Sequence, residues 1–571
     1  MKPSATPPDT PPLTRSRAQE SRAAIEKLYI IMRHLFIRGS YKPLGVSGES
    51  LIDALHVLEP EIYGLINDVE RVELDGLLYV MDRLPRGIEE CRYIHLISRE
   101  GYENANFELI VPAKRRRNCY RIDATQMYVE MTRGRSDIYD ILTHLTFLYN
   151  EAEKIRRNAL DHKGRPTQDW LKLQEIVEEE AINDSHDQEA AYSYLSNILQ
   201  RTYEETRWAN ERFAAKTYRH SLFHIVYHLG KLSIDEAQEN RDREIKFSNT
   251  LRERIGHHVY GERWADRIKS VLLQKGLMNR PLHIISANLH SFINIIYGYH
   301  ALGRSDYDAL EELAVEIGVE NKVQYARKIR DYALRHGLIE LVDTSGTNIS
   351  AQIIDTAQLT DDQLAPGIPF ATDDSEERPV LLIMDYAFGE QAYECMDELL
   401  KPFKRGEEKH PLNVHSISVM GKAGILQGKK GDIMLPTAHV FEGTADNYPI
   451  ENDFLEDDEL QRQGIPVCTG PMITVLGTSL QNKDVLSYFL KSSWRAIGLE
   501  MEGAHYQKAI QSAAKIRNSV DPNIKLRYAY YASDNPLLTG STLASGSLGM
   551  DGIRPTYLIA FGILRGIVGQ G

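Results

Sequence analysis

Hydrophobic positions in the first half of the chain recur at the spacing of amphipathic helices. From Ala18 onward apolar residues return every three or four positions, as Leu28, Met32 and Leu35 do, and similar segments continue beyond residue 220. Proline and glycine are sparse within them. The pattern predicts a mainly α-helical region over residues 18–275, with short strands near 92–98 and 107–112. Residues 1–17 are rich in proline and threonine and are expected to form a disordered tail.

The pattern changes twice before residue 380. Residues 280–287 form a β-like apolar run that is followed by helical spacing, which predicts a small helical or mixed subdomain over residues 276–342. Residues 343–378 are rich in Thr, Asp, Gly, Ser and Pro and carry few sustained apolar faces. This composition is typical of a linker, so we place the main domain boundary there.

Strand-like and helix-like segments alternate in the rest of the chain. Val380–Met384 is a short continuous apolar run, as in a buried strand of a mostly parallel sheet. Further strand-like runs lie at 414–420, 431–436, 472–476 and 526–532, with helical segments between several of them. The alternation predicts an α/β domain over residues 379–571, in which helices cover both faces of a central sheet.

Composition narrows the class of protein. A chain of 571 residues is long enough for several domains, and 42% hydrophobic with 26% charged residues is typical of a globular protein. The net charge of −14 argues against general nucleic-acid binding. One basic run, residues 114–117, is able to meet phosphates, but a solvated edge is the preferred interpretation.

Cysteine usage and hydropathy bear on where the protein works. The four cysteines form no CxxC pair and no metal-ligand spacing, which favours a reduced, cytoplasmic setting. No apolar run approaches the ~18 residues of a membrane span, so no membrane partner is expected.

Four polar clusters follow predicted strands of the C-terminal domain. They are residues 385–390, 421–424, 500–502 and 533–535. Ligands of α/β sheets bind beyond the carboxyl ends of the strands. We therefore expect the four clusters to form one pocket.

Three of these segments resemble motifs of the nucleoside phosphorylase superfamily. Residues 498–504 read G-L-E-M-E-G-A and resemble its E-M-E-G-A signature, best matched in the nucleosidase branch, which includes methylthioadenosine/S-adenosylhomocysteine nucleosidase and AMP nucleosidase. Residues 531–535 resemble the later S-D motif, and residues 421–434 resemble the G-x-A-G turn with its following G-D strand. The resemblance covers residues 379–571 and implies a phosphorylase-type central mixed sheet flanked by helices.

The same resemblance implies a reaction. It is the cleavage of the N-glycosidic bond of a purine nucleoside or nucleotide, without a cofactor, by a homo-oligomeric enzyme. Such a reaction needs one acid to protonate the leaving base, one carboxylate near the ribose and one base for water.

Carried over by motif, the resemblance assigns catalytic roles to three carboxylates. Glu502 would hold the ribose 2′- and 3′-hydroxyls, with Met501 packed against the sugar. Asp534 would face the purine N7 as the acid, with support from Ser533. Glu390 would be the base for water, since the family places a carboxylate just after the first strand.

The remaining implied residues bind the substrate. Gly421 opens the turn in which Ala423 and Gly424 let the backbone approach the ligand closely. Lys422 replaces a small polar residue of the family and is able to meet a nucleotide 5′-phosphate. Glu500 would line the sugar or nucleophile site. His439 lies in a segment for which three positions are open: beside the sugar, at a subunit interface, or in a plain surface loop.

One departure from the family's motifs bears on whether the reaction is hydrolysis or phosphorolysis. Many phosphorylases carry a G-D-P-x-R phosphate loop after the first strand, whereas residues 384–390 contain no arginine. This favours hydrolysis over phosphorolysis. A phosphate-dependent phosphorylase and a non-catalytic nucleotide-binding sensor remain the alternatives.

Three histidines also have a spacing found in metal sites. His220, His224 and His228 lie at i, i+4 and i+8 of one predicted helix. A helix packed against polar neighbours explains them as well, so no metal is predicted.

Overall fold

The computed structural model describes most of the chain. The described residues are 16–178, 185–213, 221–303, 310–319, 322–359, 374, 377–444, 446–454, 464–539 and 549–568. The tail predicted over residues 1–17 lies almost wholly outside them. Among the described residues, no helix has both the length and the apolar character needed to cross a membrane.

The first half of the chain contains the predicted helices and, in addition, a sheet. Its ten α-helices in the described residues are Arg17–Arg38, Val46–Leu58, Leu74–Met81, Gly134–Ala159, Gln168–Glu178, Ser185–Leu199, Tyr203–Phe213, Leu222–Glu239, Asn249–Gly256 and Val259–Gln274. Its strands are β1 (Ser40–Tyr41), β2 (Tyr93–Ile97), β3 (Glu108–Ile110), β4 (Cys119–Arg121), β5 (Gln126–Glu130) and β6 (Glu244–Phe247).

These strands form one six-stranded sheet in the order β1-β6-β2-β5-β4-β3. The sequence predicted β2 and β3 but not the sheet. The other four strands have only two to five residues, which is too short for a period of two to stand out.

A second, ten-stranded sheet dominates the rest of the chain. Its strands are β7 (Leu282–Ser286), β8 (Leu338–Leu341), β9 (Ala351–Asp355), β10 (Val380–Met384), β13 (Val414–Ile425), β14 (Ile433–Phe441), β15 (Asn447–Pro449), β16 (Val467–Thr474), β17 (Gly498–Glu500) and β18 (Lys525–Asp534). The order is β15-β14-β16-β17-β13-β7-β10-β9-β8, and β18 pairs with β13 and β14. The two remaining strands, β11 (Phe403–Arg405) and β12 (Glu408–His410), form a separate hairpin.

Helices cover both faces of the large sheet, as predicted. Within β10, Val380, Leu382 and Met384 join one hydrophobic cluster, whereas Leu381 and Ile383 join another. The first cluster includes residues of helix Val259–Gln274, and the second includes residues of the last helix. The described helices after β7 are Leu289–Leu302, Leu310–Val319, Lys322–Ala333, Gln391–Leu399, Lys483–Lys491, Gly503–Gln511, Pro536–Thr539 and Ile553–Val568.

The large sheet begins about a hundred residues before the expected boundary at 379. Strand β7 lies between β10 and β13 and is parallel to both, and β9 pairs antiparallel with β10 and β8. The subdomain expected at 276–342 and the linker expected at 343–378 therefore contribute strands to this sheet. The polar composition of the supposed linker hid Ala351–Asp355, whose five residues are all buried.

A core substitution in β7 tests this architecture. Ile284 is fully buried, and shortening it to alanine is expected to lower the free energy of unfolding of the whole chain by about 2–5 kcal/mol. The measurement is urea unfolding followed by circular dichroism. Val342→Ala is the control, because Val342 is 68% exposed and its truncation should cost less than about 0.5 kcal/mol. Equal stability of the two variants would contradict the central position of β7.

Candidate active site

A cavity of about 290 Å³ lies where β7, β10 and β18 end, beside the second half of β13. This volume is near the lower limit for pockets that hold small ligands. All four predicted clusters contribute residues to its lining. These residues are Tyr386 and Ala387, Gly421 and Lys422, Glu500 to Glu502, and Ser533. Folding thus brings the four clusters to one place.

The E-M-E-G turn is held from below by its first glutamate. Glu500 is 3% exposed and accepts hydrogen bonds from the Thr474 hydroxyl and from the backbone N–H groups of Glu502 and Gly503. Burial raises the pKa of Glu500 to about 7. Its hydrogen bonds fix the shape of the turn, even though it also borders the cavity.

Glu502 borders the cavity and is tied to the loop after β10. Its Oε1 accepts a hydrogen bond from the Gly389 N–H at 2.9 Å. Burial, together with the nearby charge of Glu500, raises the pKa of Glu502 to about 8. The carboxyl group is therefore easily protonated, and a ligand that donates hydrogen bonds to it would favour the ionised form.

His439 lies beneath the turn and is not part of the cavity lining. Its ring is fully buried, with Nε2 3.4 Å from the Tyr530 hydroxyl oxygen, and burial lowers its pKa to about 3. A Cβ on Gly503 would come within 2.3 Å of this ring. The glycine of the motif thus lets the turn pack directly on the neutral imidazole.

Ser533 and Asp534 lie at the end of β18, where the pairing with β13 is irregular. The register shifts between Ala423 and Gly424, so that Gly424 lies opposite Asp534. A bulge of this kind turns the strand and changes the direction of side chains. Ser533 borders the cavity, and its hydroxyl lies 2.5 Å from Oδ1 of Asp534 and 3.1 Å from the carbonyl oxygen of Ala423.

Asp534 itself is 8% exposed and lies directly behind Ser533. Ala423 and Gly424 are buried and also lie outside the lining. In the bulge, Ala423 and Gly424 position Ser533 and Asp534. The resemblance implies instead that Ala423 and Gly424 approach the ligand.

The structure does not place Glu390 on the cavity. Its Oε1 forms an ion pair with Arg135 at 3.1 Å, and its backbone N–H donates to the Ser136 hydroxyl at 2.8 Å. Both partners belong to the start of helix Gly134–Ala159 in the first half of the chain. The adjacent Gly389 nevertheless contacts Glu502, so Glu390 is one residue removed from the site.

Aromatic side chains form a part of the lining that the sequence did not indicate. Tyr386, Tyr506, Tyr530 and Tyr531 all border the cavity, and the Tyr506 hydroxyl lies 2.9 Å from the hydroxyl of Ser286. Flat aromatic walls suit a planar ligand such as a heterocyclic base. The tyrosine-rich run before Ser533 was the only available signal.

The first half of the chain also supplies arginines to the loop after β10. Arg116 forms an ion pair with Asp385 at 3.4 Å, and the guanidinium groups of Arg133 and Arg115 lie 4.6 and 5.6 Å from the ring centre of Phe388. The interpretation of residues 114–117 as a solvated edge is wrong for Arg117, whose side chain is fully buried. The loop, which has no arginine of its own, is thus contacted by arginines from elsewhere in the chain.

A possible set of metal ligands lies apart from this cavity. Ligand atoms of Glu90, His224 and His228 come within 4.8 Å of one another, and His220 lies outside the described residues. None of the three borders the cavity, and Glu90 also pairs with Arg121 at 2.7 Å.

Comparison with known proteins identifies a family without a known function. The model of the family of unknown function DUF6909 matches residues 49–312 and 317–569, which is most of the chain. The protein belongs to this family. No curated protein matches the sequence.

Solved structures are similar to this chain only at low sequence identity and low TM-score. The methylthioadenosine/S-adenosylhomocysteine nucleosidase of Campylobacter jejuni is 10% identical with a TM-score of 0.30, covering 51% of this chain and 99% of that chain. The corresponding Helicobacter pylori enzyme and the futalosine hydrolase of Helicobacter pylori strain 26695 are each 11% identical to this chain, with TM-scores of 0.30. Each match covers 51% of this chain and 100% of the other chain. Likenesses at this level leave the function to be argued from the residues themselves.

The raised pKa of Glu502 predicts how stability varies with pH. Folding raises this pKa from its ordinary value of 4.5 to about 8, so the folded chain keeps a proton that the unfolded chain loses. Wild-type stability should therefore decline between these two pH values. Glu502→Gln cannot ionise, and its free energy of unfolding relative to wild type should rise by about 1–3 kcal/mol from about pH 5 to about pH 8.

Urea unfolding at the two pH values measures this difference. Glu407→Gln is the matched control, because Glu407 is exposed and its replacement should give the same pH dependence as wild type. A Glu502→Gln variant that follows the control would contradict the raised pKa.

Proposed function

We propose that this protein hydrolyses the N-glycosidic bond of a purine nucleoside or nucleotide, releasing the free base and ribose or ribose phosphate. The supporting observation is that Glu500, Met501, Glu502 and Ser533 border one cavity, with Asp534 hydrogen-bonded behind Ser533. Two carboxylates with separate environments are what such a cleavage requires.

Glu502 is suited to hold the ribose. Its Oε1 is already fixed by the Gly389 N–H, which orients the carboxylate before a ligand arrives. Two ribose hydroxyls would donate to it and stabilise its charged form. That charge would then oppose the positive charge that develops on the sugar as the bond to the base breaks.

Asp534 is suited to protonate the departing base. It is buried and lies beside the Ser533 hydroxyl, which in turn borders the cavity. Protonation of a purine at N7 would turn the base into a better leaving group. Tyr386 and Tyr530 provide the aromatic surface against which the base would lie.

Glu390 is the proposed acceptor of the proton from the attacking water. The ion pair with Arg135 uses its Oε1, so Oε2 is the atom that would accept the proton. The purine specificity, the absence of a cofactor, the cytoplasmic setting and the self-association of the chain are further parts of the proposal, and they come from the sequence.

Phosphorolysis is a second candidate that one observation favours. The sequence argument against it was the lack of arginine in residues 384–390, but Arg116 and Arg135 reach Asp385 and Glu390 from the first half of the chain. A phosphate nucleophile would have cationic partners near that loop.

Substitution of the two carboxylates tests the proposal. Glu502→Ala and Asp534→Asn should each lower the rate of base release by about a hundredfold or more, since a positioned acid or charge contributes at least that much. The measurement is chromatographic detection of free base from AMP, adenosine, inosine and methylthioadenosine, each with and without phosphate. Glu407→Ala is the control and should retain wild-type turnover.

The substrate panel also separates the alternatives. Release without phosphate supports hydrolysis, whereas a requirement for phosphate with formation of ribose 1-phosphate indicates a phosphorylase. Binding without turnover in the wild type indicates a sensor. Unchanged turnover in both variants would refute the site assignment.

A further inference from the structure

A cluster of arginines from the first half of the chain borders the candidate active site. Arg83, Arg117 and Arg133 are each at most 8% exposed, and the Arg115 side chain is 12% exposed. Arg115 and Arg117 pair with Asp140, and Arg133 pairs with Asp137. We call these four arginines the arginine cluster.

The arginine cluster carries more positive charge than its acidic partners neutralise. Four guanidinium groups share two carboxylates, Asp137 and Asp140, and no described ion pair involves Arg83. Buried charge without a partner is unfavourable, so a surplus of this kind calls for an anion.

Other charged groups nearby remove little of the surplus. Asp82 partly offsets the charge of Arg83, but no described ion pair joins the two side chains. Asp385 is paired with Arg116, and Glu390 is paired with Arg135. Burial raises the pKa of Glu394 well above its usual range, which favours its neutral form. Burial also lowers the pKa of His144, which favours the neutral imidazole.

Two of the arginines have donors that are not used. The Nε atoms of Arg83 and Arg133 are buried and have no hydrogen-bond partner among the described residues. An unused N–H donor inside a protein is costly, because it has lost water without gaining an acceptor. An anion bound beside either group would supply the missing acceptor.

The arginine cluster meets the cavity on two sides. The Arg83 guanidinium lies 3.4 Å from the ring centre of Tyr79, whose hydroxyl is 3.3 Å from the hydroxyl of Thr478, a lining residue. On the other side Arg133 lies over the ring of Phe388, which follows the lining residue Ala387. One residue therefore separates each arginine from the cavity.

We propose that Arg83 and Arg133 form a phosphate-binding subsite beside this cavity. Guanidinium groups suit phosphate because their planar donors match its oxygens in pairs. The inference rests on the proposed function, and it narrows the substrates to reactions that involve a phosphate. That phosphate is either the one carried by a nucleotide or a free phosphate that attacks the sugar.

The test compares matched substrates in three variants. Arg83→Gln and Arg133→Gln should lower kcat/KM for AMP by about ten- to hundredfold, as expected for loss of a hydrogen bond to a charged group, and should change kcat/KM for adenosine without phosphate by less than about twofold. Arg86→Gln is the control, because Arg86 is exposed and lies only three residues from Arg83. It should match wild type on both substrates.

The two sources of phosphate give different results. If adenosine is cleaved only with added phosphate, giving ribose 1-phosphate, the same two variants should raise the KM for phosphate by about tenfold or more. Wild type that cleaves adenosine as well as AMP, without a phosphate requirement, would overturn the subsite. Equal losses on AMP and adenosine would overturn it too, because they would show a merely structural role.

Binding measurements cover the remaining outcomes. In wild type, AMP should raise the melting temperature more than adenosine does, and added salt should reduce the difference. This comparison decides the matter if neither variant folds. If no substrate is cleaved but AMP still stabilises wild type and not the Arg83→Gln variant, the subsite stands and the proposed reaction fails.

Discussion

The parallel pairing of β7 with β10 and β13 determines where the rest of the structure lies. These three strands form the middle of the large sheet, and their carboxyl ends open on the same side. Because β7 precedes β10 by about a hundred residues, the sheet cannot form without the chain that comes before the supposed domain boundary. The cavity at these strand ends therefore needs segments from both sides of that boundary.

Burial of carboxyl groups gives the cavity its chemical character. Glu500 and Glu502 lie two residues apart in one turn, but their surroundings differ. Glu500 is surrounded by donors that shape the turn, whereas Glu502 accepts a hydrogen bond from the Gly389 N–H in the loop after β10 and faces the cavity. Desolvation raises the pKa of both groups, so their ionisation depends on what binds next to them. Ligand binding and charge are thus coupled at this site.

The first half of the chain contacts the segments that surround the cavity. Its helix Gly134–Ala159 contacts the loop after β10 through Arg135 and Ser136, and Tyr79 contacts Thr478 on another side. Most of the cavity wall, including the cationic Lys422, comes from the large sheet, while the arginines near the loop after β10 come from the first half. The two parts of the chain therefore meet beside the cavity.

The sequence by itself determined the local features of the second half. Continuous apolar runs predicted β10 and several later strands, and the E-M-E-G-A and S-D motifs predicted two of the segments that border the cavity, because both are patterns of a few adjacent residues. The sequence did not show which strands pair when they lie far apart in the chain. The place of β7, the short strands of the first sheet and the two arginines over the Phe388 ring depend on contacts between residues far apart in the chain. Only the tertiary structure decided that Glu390 faces Arg135, that His439 supports the turn from below, and that the cavity has cationic neighbours, since each depends on which segments pack together.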